Sequence, residues 1–142
     1  NLNCKLYNWA MVDKFSDLLK NYNITPTKQR LDIAEIIFNK HQHFTAIELI
    51  DRVKIAELPI SQATVYNTLC LFESRGLLKT IDLQNDCKFY DTNLESHHHV
   101  YNTSTNKLTD ISMDKIEFTK LPEIPKNVEL EQTEVLIKVR NK

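Results

Sequence analysis

The chain has 142 residues, of which 42% are hydrophobic and 26% charged. That apolar content suits one compact domain or two small ones and excludes a disordered chain. Lys and Arg number 18 against 19 Asp and Glu, a net charge of −1, and there is only one glycine; this excludes Gly-rich phosphate loops and leaves any nucleic-acid binding to a local surface.

From Val12, the apolar residues Phe15, Leu18, Leu19 and Tyr22 recur at three- and four-residue steps and predict a first helix. Thr25-Pro26 supplies a cap and a first helical position for a second helix, with Leu31, Ala34, Ile37 and Phe38 as its apolar face. Thr45-Ala46-Ile47-Glu48 has the capping-box pattern and opens a short third helix carrying Leu49, Ile50 and Val53. Ser61 caps a fourth, Gln62 to Ser74, which Gly76 terminates in a left-handed conformation. On this helix Val65, Thr68, Leu69 and Phe72 gather on one side, and Ala63, Tyr66, Asn67 and Cys70 on the other.

Leu77 to Ile81 and Cys87 to Asp91 read as a strand pair around Gln84, Asn85 and Asp86. A second pair, His97 to Asn102 and Lys107 to Ile111, flanks Thr103 to Asn106. Ser112 to Lys120 is predicted to hold a short helix, and a last strand falls within Asn127 to Arg140, where Val135, Ile137 and Val139 alternate. The expected fold class is α+β: an N-terminal winged helix-turn-helix domain over residues 1–92, then a small α/β dimerisation domain over 93–142.

In a winged helix-turn-helix the later helix enters the major groove and the hairpin lies over the backbone. Ala63 permits close approach, Asn67 suits a bidentate contact to adenine and Tyr66 suits thymine methyls, so A–T-rich duplex DNA is the expected partner. Lys28, Arg30, Lys79 and Lys88 are candidate phosphate contacts. A Tyr–Asn pair on a helix also fits a solvated or subunit-facing surface. Residues 1–92 carry 11 basic and 11 acidic side chains, so affinity rests on local geometry and on a dimer doubling the contacts.

All five histidines fall in two places, His41 and His43 before the third helix, and His97-His98-His99 at the start of the second strand pair. Along a strand His97 and His99 share a face while His98 points the other way. A four-residue turn at Thr103 to Asn106 puts Asp110 directly across from His99, close enough to share an ion. Asp91, at the end of the wing, adds a further oxygen. Imidazoles and carboxylates without thiolate favour Fe(II), Mn(II) or Zn(II), and a set drawn from both domains (His43, Asp91, His97, His99, Asp110) would let occupancy fix the angle between them. His98 and Glu117 form a second, weaker candidate pair. The cysteines, Cys4, Cys70 and Cys87, form no CxxC pair, which indicates neither a disulfide framework nor a thiolate zinc knuckle. With no apolar run of roughly 18–20 residues and no signal pattern at Asn1 to Ala10, no membrane association and a cytoplasmic setting are expected.

Pro59-Ile60-Ser61-Gln62-Ala63-Thr64-Val65-Tyr66-Asn67-Thr68-Leu69 followed by Gly76-Leu77-Leu78 resembles the ferric uptake regulator superfamily. So do Thr25-Pro26-Thr27-Lys28-Gln29-Arg30, His43-Phe44-Thr45-Ala46, and the run from Asp91 through the histidines to Asp110. Phe89-Tyr90-Asp91-Thr92-Asn93 and Leu121-Pro122-Glu123-Ile124-Pro125, leading into Val135 to Arg140, resemble its iron response regulator (Irr) branch. The resemblance implies a homodimeric bacterial transcription factor, mainly a repressor, on an A–T-rich operator. Lys28, Arg30, Ser61, Gln62, Ala63, Thr64, Tyr66 and Asn67 would meet DNA. His43, Asp91, His97, His99 and Asp110 match the regulatory metal site, and His97, His98 and His99 match the branch's haem-responsive motif, with haem ending DNA binding. The superfamily's structural zinc cysteines are here Asn102 and Thr105, so no Cys4 zinc is expected. Cys4 is followed by Lys5 and not by the proline of a Cys-Pro haem motif.

The close alternative is a sensor of Fe(II), Mn(II) or Zn(II), governing uptake or peroxide stress without a haem response. A nonhaem iron enzyme would need a deep β-barrel that the remaining strands do not supply, and a storage protein has no use for the Tyr66–Asn67 face.

Overall fold

The computed structural model describes residues 14–83 and 88–142. Val12, Cys4, Cys87 and the wing-turn residues Gln84, Asn85 and Asp86 lie outside the described residues. The chain divides into two compact units, the boundary falling between Leu94 and Glu95.

The first unit runs α1 (residues 14–21), α2 (Lys28–Phe38), β1 (His43–Phe44), α3 (Ala46–Ile55), α4 (Gln62–Ser74), β2 (Lys79–Asp82) and β3 (Lys88–Asp91). Each helix buries an apolar stripe: Phe15 and Leu19 from α1, Ile33, Ala34 and Ile37 from α2, Leu49 and Val53 from α3, and Val65, Leu69 and Phe72 from α4 join one core with Phe44 and Tyr90. Leu31 and Phe38, expected on the buried face of α2, are only partly buried, and Ile33 is buried instead. The helix starts are fixed by side-chain oxygens that take up backbone N–H groups with no partner inside the helix. In α3, Thr45 Oγ1 accepts from Glu48 N–H (3.2 Å) while Glu48 Oε2 accepts from Thr45 N–H (2.9 Å), the reciprocal box expected. In α4, Ser61 Oγ accepts from Thr64 N–H at 3.1 Å.

The start of α2 corrects the sequence reading. Its cap is Thr27, whose Oγ1 accepts from Arg30 N–H (3.3 Å), and the Thr25 carbonyl instead accepts from the Arg30 guanidinium at 2.7 Å. Gly76, at φ +77°, stops α4 as predicted: its N–H donates to Glu73 C=O (3.0 Å) and Leu77 N–H to Phe72 C=O (2.9 Å).

The sheet of this unit is antiparallel in the order β1-β3-β2. The two-residue strand β1 was not expected. It pairs His43 with Asp91 and Phe44 with Tyr90, adding a third strand to the wing hairpin.

The second unit holds β4 (His98–Asn102), β5 (Lys107–Ile111), a 3-10 turn at Met113–Lys115 and β6 (Leu136–Val139). The sheet order is β5-β4-β6, antiparallel between β4 and β5 and parallel between β4 and β6. Of the helix predicted over Ser112 to Lys120 only the 3-10 turn forms. Ser112 gives its hydroxyl to the Asp114 carboxylate and not to a backbone N–H, and none of Met113–Lys115 is buried, so nothing propagates the turn. All four β6 side chains are exposed. No helix among the described residues is long and apolar enough to cross a membrane.

Candidate metal centre and nucleic-acid face

In the first unit the β1–β3 register places His43 directly opposite Asp91, with His43 Nε2 3.2 Å from Asp91 Oδ2. Asp91 is 1% exposed, and its other oxygen accepts from Asn93 N–H at 2.8 Å. A carboxylate so far from water needs a partner of positive character, and the imidazole beside it is at hand.

The second unit gathers three donors. The β4–β5 register sets His99 opposite Asp110, as the turn length predicts, and His97 reaches the same carboxylate from just before β4. His97 Nε2 and His99 Nε2 lie 3.2 and 3.4 Å from Asp110 Oδ1, and their ring centroids are 4.5 Å apart. His97 Nδ1 lies 2.6 Å from the Glu95 carbonyl, which can only accept, so Nδ1 carries the ring proton. That backbone bond fixes the ring so that Nε2 of His97 is directed at the Asp110 carboxylate, the orientation of a ligating imidazole.

His98 is set the other way. It is fully buried, and its Nδ1 accepts from Val135 N–H at 3.0 Å, so the ring proton sits on Nε2. Nε2 has no hydrogen-bond partner among the described residues, the exposed Glu117 included, and Phe118 lies edge-on to the ring at 6.1 Å. As folded, His98 offers no free ring lone pair. The residue that looks most like its neighbours in sequence ties β4 to the segment entering β6.

The donors fit a first-row divalent ion. Imidazole nitrogen and carboxylate oxygen suit Fe(II), Mn(II) and Zn(II), and the Nδ1 bond of His97 is the kind of outer contact that orients a ligating ring.

On α4, Tyr66 is 45% exposed and Ser61, Gln62, Ala63 and Asn67 are exposed beside it, whereas Thr64 is half-buried. The hydroxyls of Ser61 and Thr64 bond each other at 3.0 Å as part of the cap. Lys28 and Arg30 from α2 and Thr64 and Asn67 from α4 line one open cleft of about 360 Å³. Lys28 meets Asp32 at 3.0 Å but stays largely exposed, free to exchange that carboxylate for another anion. Lys88 is more committed. It holds Glu73 at 2.9 Å and lies 5.3 Å from the Tyr90 ring centre, and the Glu73 hydrogen bond raises its pKa above the ordinary value. Glu73 also accepts from Thr80 Oγ1 (3.0 Å), which fastens the wing to α4. The sequence reading missed Glu73, because an acidic residue near a helix end carries no signal of a cross-element role.

The model of the ferric uptake regulator family matches residues 21–139. The chain belongs to the ferric uptake regulator family. It is 33% identical over 101 residues to the ferric uptake regulation protein of Synechococcus elongatus, covering 68% of this chain and 67% of that one. It is 28% identical over 102 residues to the peroxide-responsive repressor PerR of Staphylococcus epidermidis, covering 70% and 68%. In fold it is similar to the ferric uptake regulator of Vibrio cholerae (TM-score 0.71, 20% identity, 89% of this chain and 98% of that one). It is likewise similar to the manganese-containing ferric uptake regulator of Pseudomonas aeruginosa (0.70, 20%, 89% and 97%). As a family member the chain is a metal-responsive transcriptional regulator and not an enzyme, and the proteins of the family are dimeric DNA-binding regulators.

Proposed function

We propose that this ferric uptake regulator family protein binds an A–T-rich operator as a homodimer, chiefly as a repressor, and that a divalent ion orders the DNA-competent form. One ion takes His43 and Asp91 from the first unit and His97, His99 and Asp110 from the second. What carries this reading is that each unit already holds an imidazole–carboxylate set at hydrogen-bonding range, with only residues 92–96 between Asp91 and His97. An ion held by both sets restrains how the reading helix of one protomer is spaced from that of its partner, and this spacing selects the half-sites. Tyr66 and Asn67 read bases, Ala63 and Gln62 lie against the groove, and Lys28, Arg30, Ser61 and Thr64 meet the backbone. The ion supplies positive charge and fixed coordination.

The Irr resemblance adds haem as an effector that ends DNA binding. Since His98 has its Nδ1 lone pair engaged by Val135 N–H, haem would draw on His97 or His99, so haem and metal compete for the same rings. A second reading, metal sensing in uptake or peroxide stress with no haem response, is supported by the similarity to peroxide-responsive repressors.

Fluorescence anisotropy at one fixed salt, on an A–T-rich palindromic duplex and a scrambled control, tests this with metal-free, Mn(II)-loaded and haem-loaded protein. Specific binding strengthened by Mn(II) and lost with haem is expected. Binding that follows Mn(II) and ignores haem selects the second reading, and binding that ignores Mn(II) overturns both.

A further inference from the structure

Gln42 and Thr92 flank the ligand pair of the first unit, one directly before His43 and the other directly after Asp91. They extend the β1–β3 ladder past its last strand pair: Gln42 N–H donates to Thr92 Oγ1 (2.9 Å), and Thr92 N–H donates to Gln42 C=O (3.2 Å). The Gln42 side chain is occupied at both ends. Nε2 donates to the Ile36 and Ile37 carbonyls (3.2 and 2.8 Å), groups left without helical partners at the C-terminus of α2. Oε1 accepts from Arg52 Nη1 of α3 at 2.5 Å, and the Arg52 guanidinium lies 6.0 Å from the ring centre of Phe44, the residue after His43.

We propose that Gln42, Thr92 and Arg52 are positioning residues that seat the His43–Asp91 pair on the end of α2, so that ion occupancy is felt by the helix whose first turn carries Lys28 and Arg30. This rests on the reading of His43 and Asp91 as metal ligands. The chemistry of the amide makes the case. Glutamine alone among side chains of this length donates to two carbonyls while accepting from a guanidinium. A glutamate here would set a carboxylate against two carbonyl oxygens, and a leucine would leave carbonyls and guanidinium without partners in a half-buried place. Thr92, itself buried, supplies the hydroxyl that takes the Gln42 N–H and shares its own proton between the Lys40 and Gln42 carbonyls (3.4 Å each), so a valine of the same shape removes the acceptor together with these longer contacts. The strand pair holding the ligands is thereby joined to both helices by hydrogen bonds, the kind of contiguous network through which coupling between sites travels.

The test uses the full chain, with Mn(II) titrated by calorimetry and operator binding followed by anisotropy with and without saturating Mn(II). Asp91→Asn is the control for the ligand reading. In Thr92→Val and Gln42→Glu the Mn(II) affinity is expected to fall roughly tenfold or more, the usual effect of losing an outer-shell contact. At saturating Mn(II) the gain in operator affinity should shrink severalfold, while metal-free binding to DNA is unchanged. Thr92→Ser, which restores the hydroxyl, should recover both; a purely structural role would not move the metal-dependent gain alone. Thr92→Val keeps the test open where Gln42→Glu fails to fold. If Asp91→Asn binds Mn(II) as the wild type does, the ligand reading fails. If Asp91→Asn loses Mn(II) while Thr92→Val keeps wild-type affinity and gain, the positioning role is overturned.

Discussion

The two units divide the work of folding unequally. Nearly all the buried apolar side chains among the described residues belong to the first, and only Tyr101 and Leu108 lie in the second. The second buries His97, His98 and His99 instead, and it leaves Leu136, Ile137 and Val139 of β6 37–40% exposed, along with Phe118, Leu121, Ile124, Val128 and Leu130. A unit of about 50 residues with so small an apolar core lies below the size at which a domain commonly holds itself together. The first unit thus has a core of its own beneath α4, whereas the second holds His97, His99 and Asp110 and leaves the apolar side chains of β6 exposed.

Substitutions can break this contrast. Leu69→Ala, at a site with no exposure in the core of the first unit, is expected to cost about 2–5 kcal/mol in a denaturant melt. Ile137→Ala should change the stability of a protomer by less than about 0.5 kcal/mol while weakening self-association measured by sedimentation. A large melting defect in the second variant would show that the second unit has a core of its own.

Next in size is the reading face. Tyr66→Ala with Asn67→Ala should erase the preference for an A–T-rich operator over a scrambled duplex, on the order of 1–3 kcal/mol per lost base contact. Mn(II) binding and dimer formation should be kept. Undiminished discrimination in anisotropy would remove α4 from the base-reading role.

The smallest effect concerns the wing. Lys88 is raised in pKa by its hydrogen bond to Glu73, and Tyr90 is raised chiefly by burial. Both folded values lie above the unfolded ones, so the stability these groups contribute is complete below about pH 10 and declines as pH rises through the raised values. Melts from pH 8 to 11 should show a decline that Glu73→Gln reduces.

Much of this was legible in the sequence because it rests on local chemistry. The Thr45–Glu48 box, the Ser61 cap and the Gly76 stop each need only a few neighbouring residues, and the turn at Thr103 to Asn106 was enough to set His99 opposite Asp110. What was missed depends on distant partners. A strand of two residues, His43–Phe44, is too short to show alternation and exists because β3 offers it an edge. The network of Gln42, Thr92 and Arg52 joins residues far apart in sequence. Thr25 was expected to cap α2, but it is the Thr27 hydroxyl that takes the Arg30 N–H, while the Thr25 carbonyl accepts from the Arg30 guanidinium. Alternation along β4 already turns His98 away from His97 and His99, but the Val135 N–H that engages its Nδ1 comes from 37 residues further along the chain.

The central claim is that a single ion takes ligands from both units, and it is tested most directly by Mn(II) stoichiometry in the wild type, Asp91→Asn and Asp110→Asn. One tightly bound ion per protomer in the wild type, lost in either variant, is the expected result. Two ions per protomer, with each variant losing only one, would contradict it.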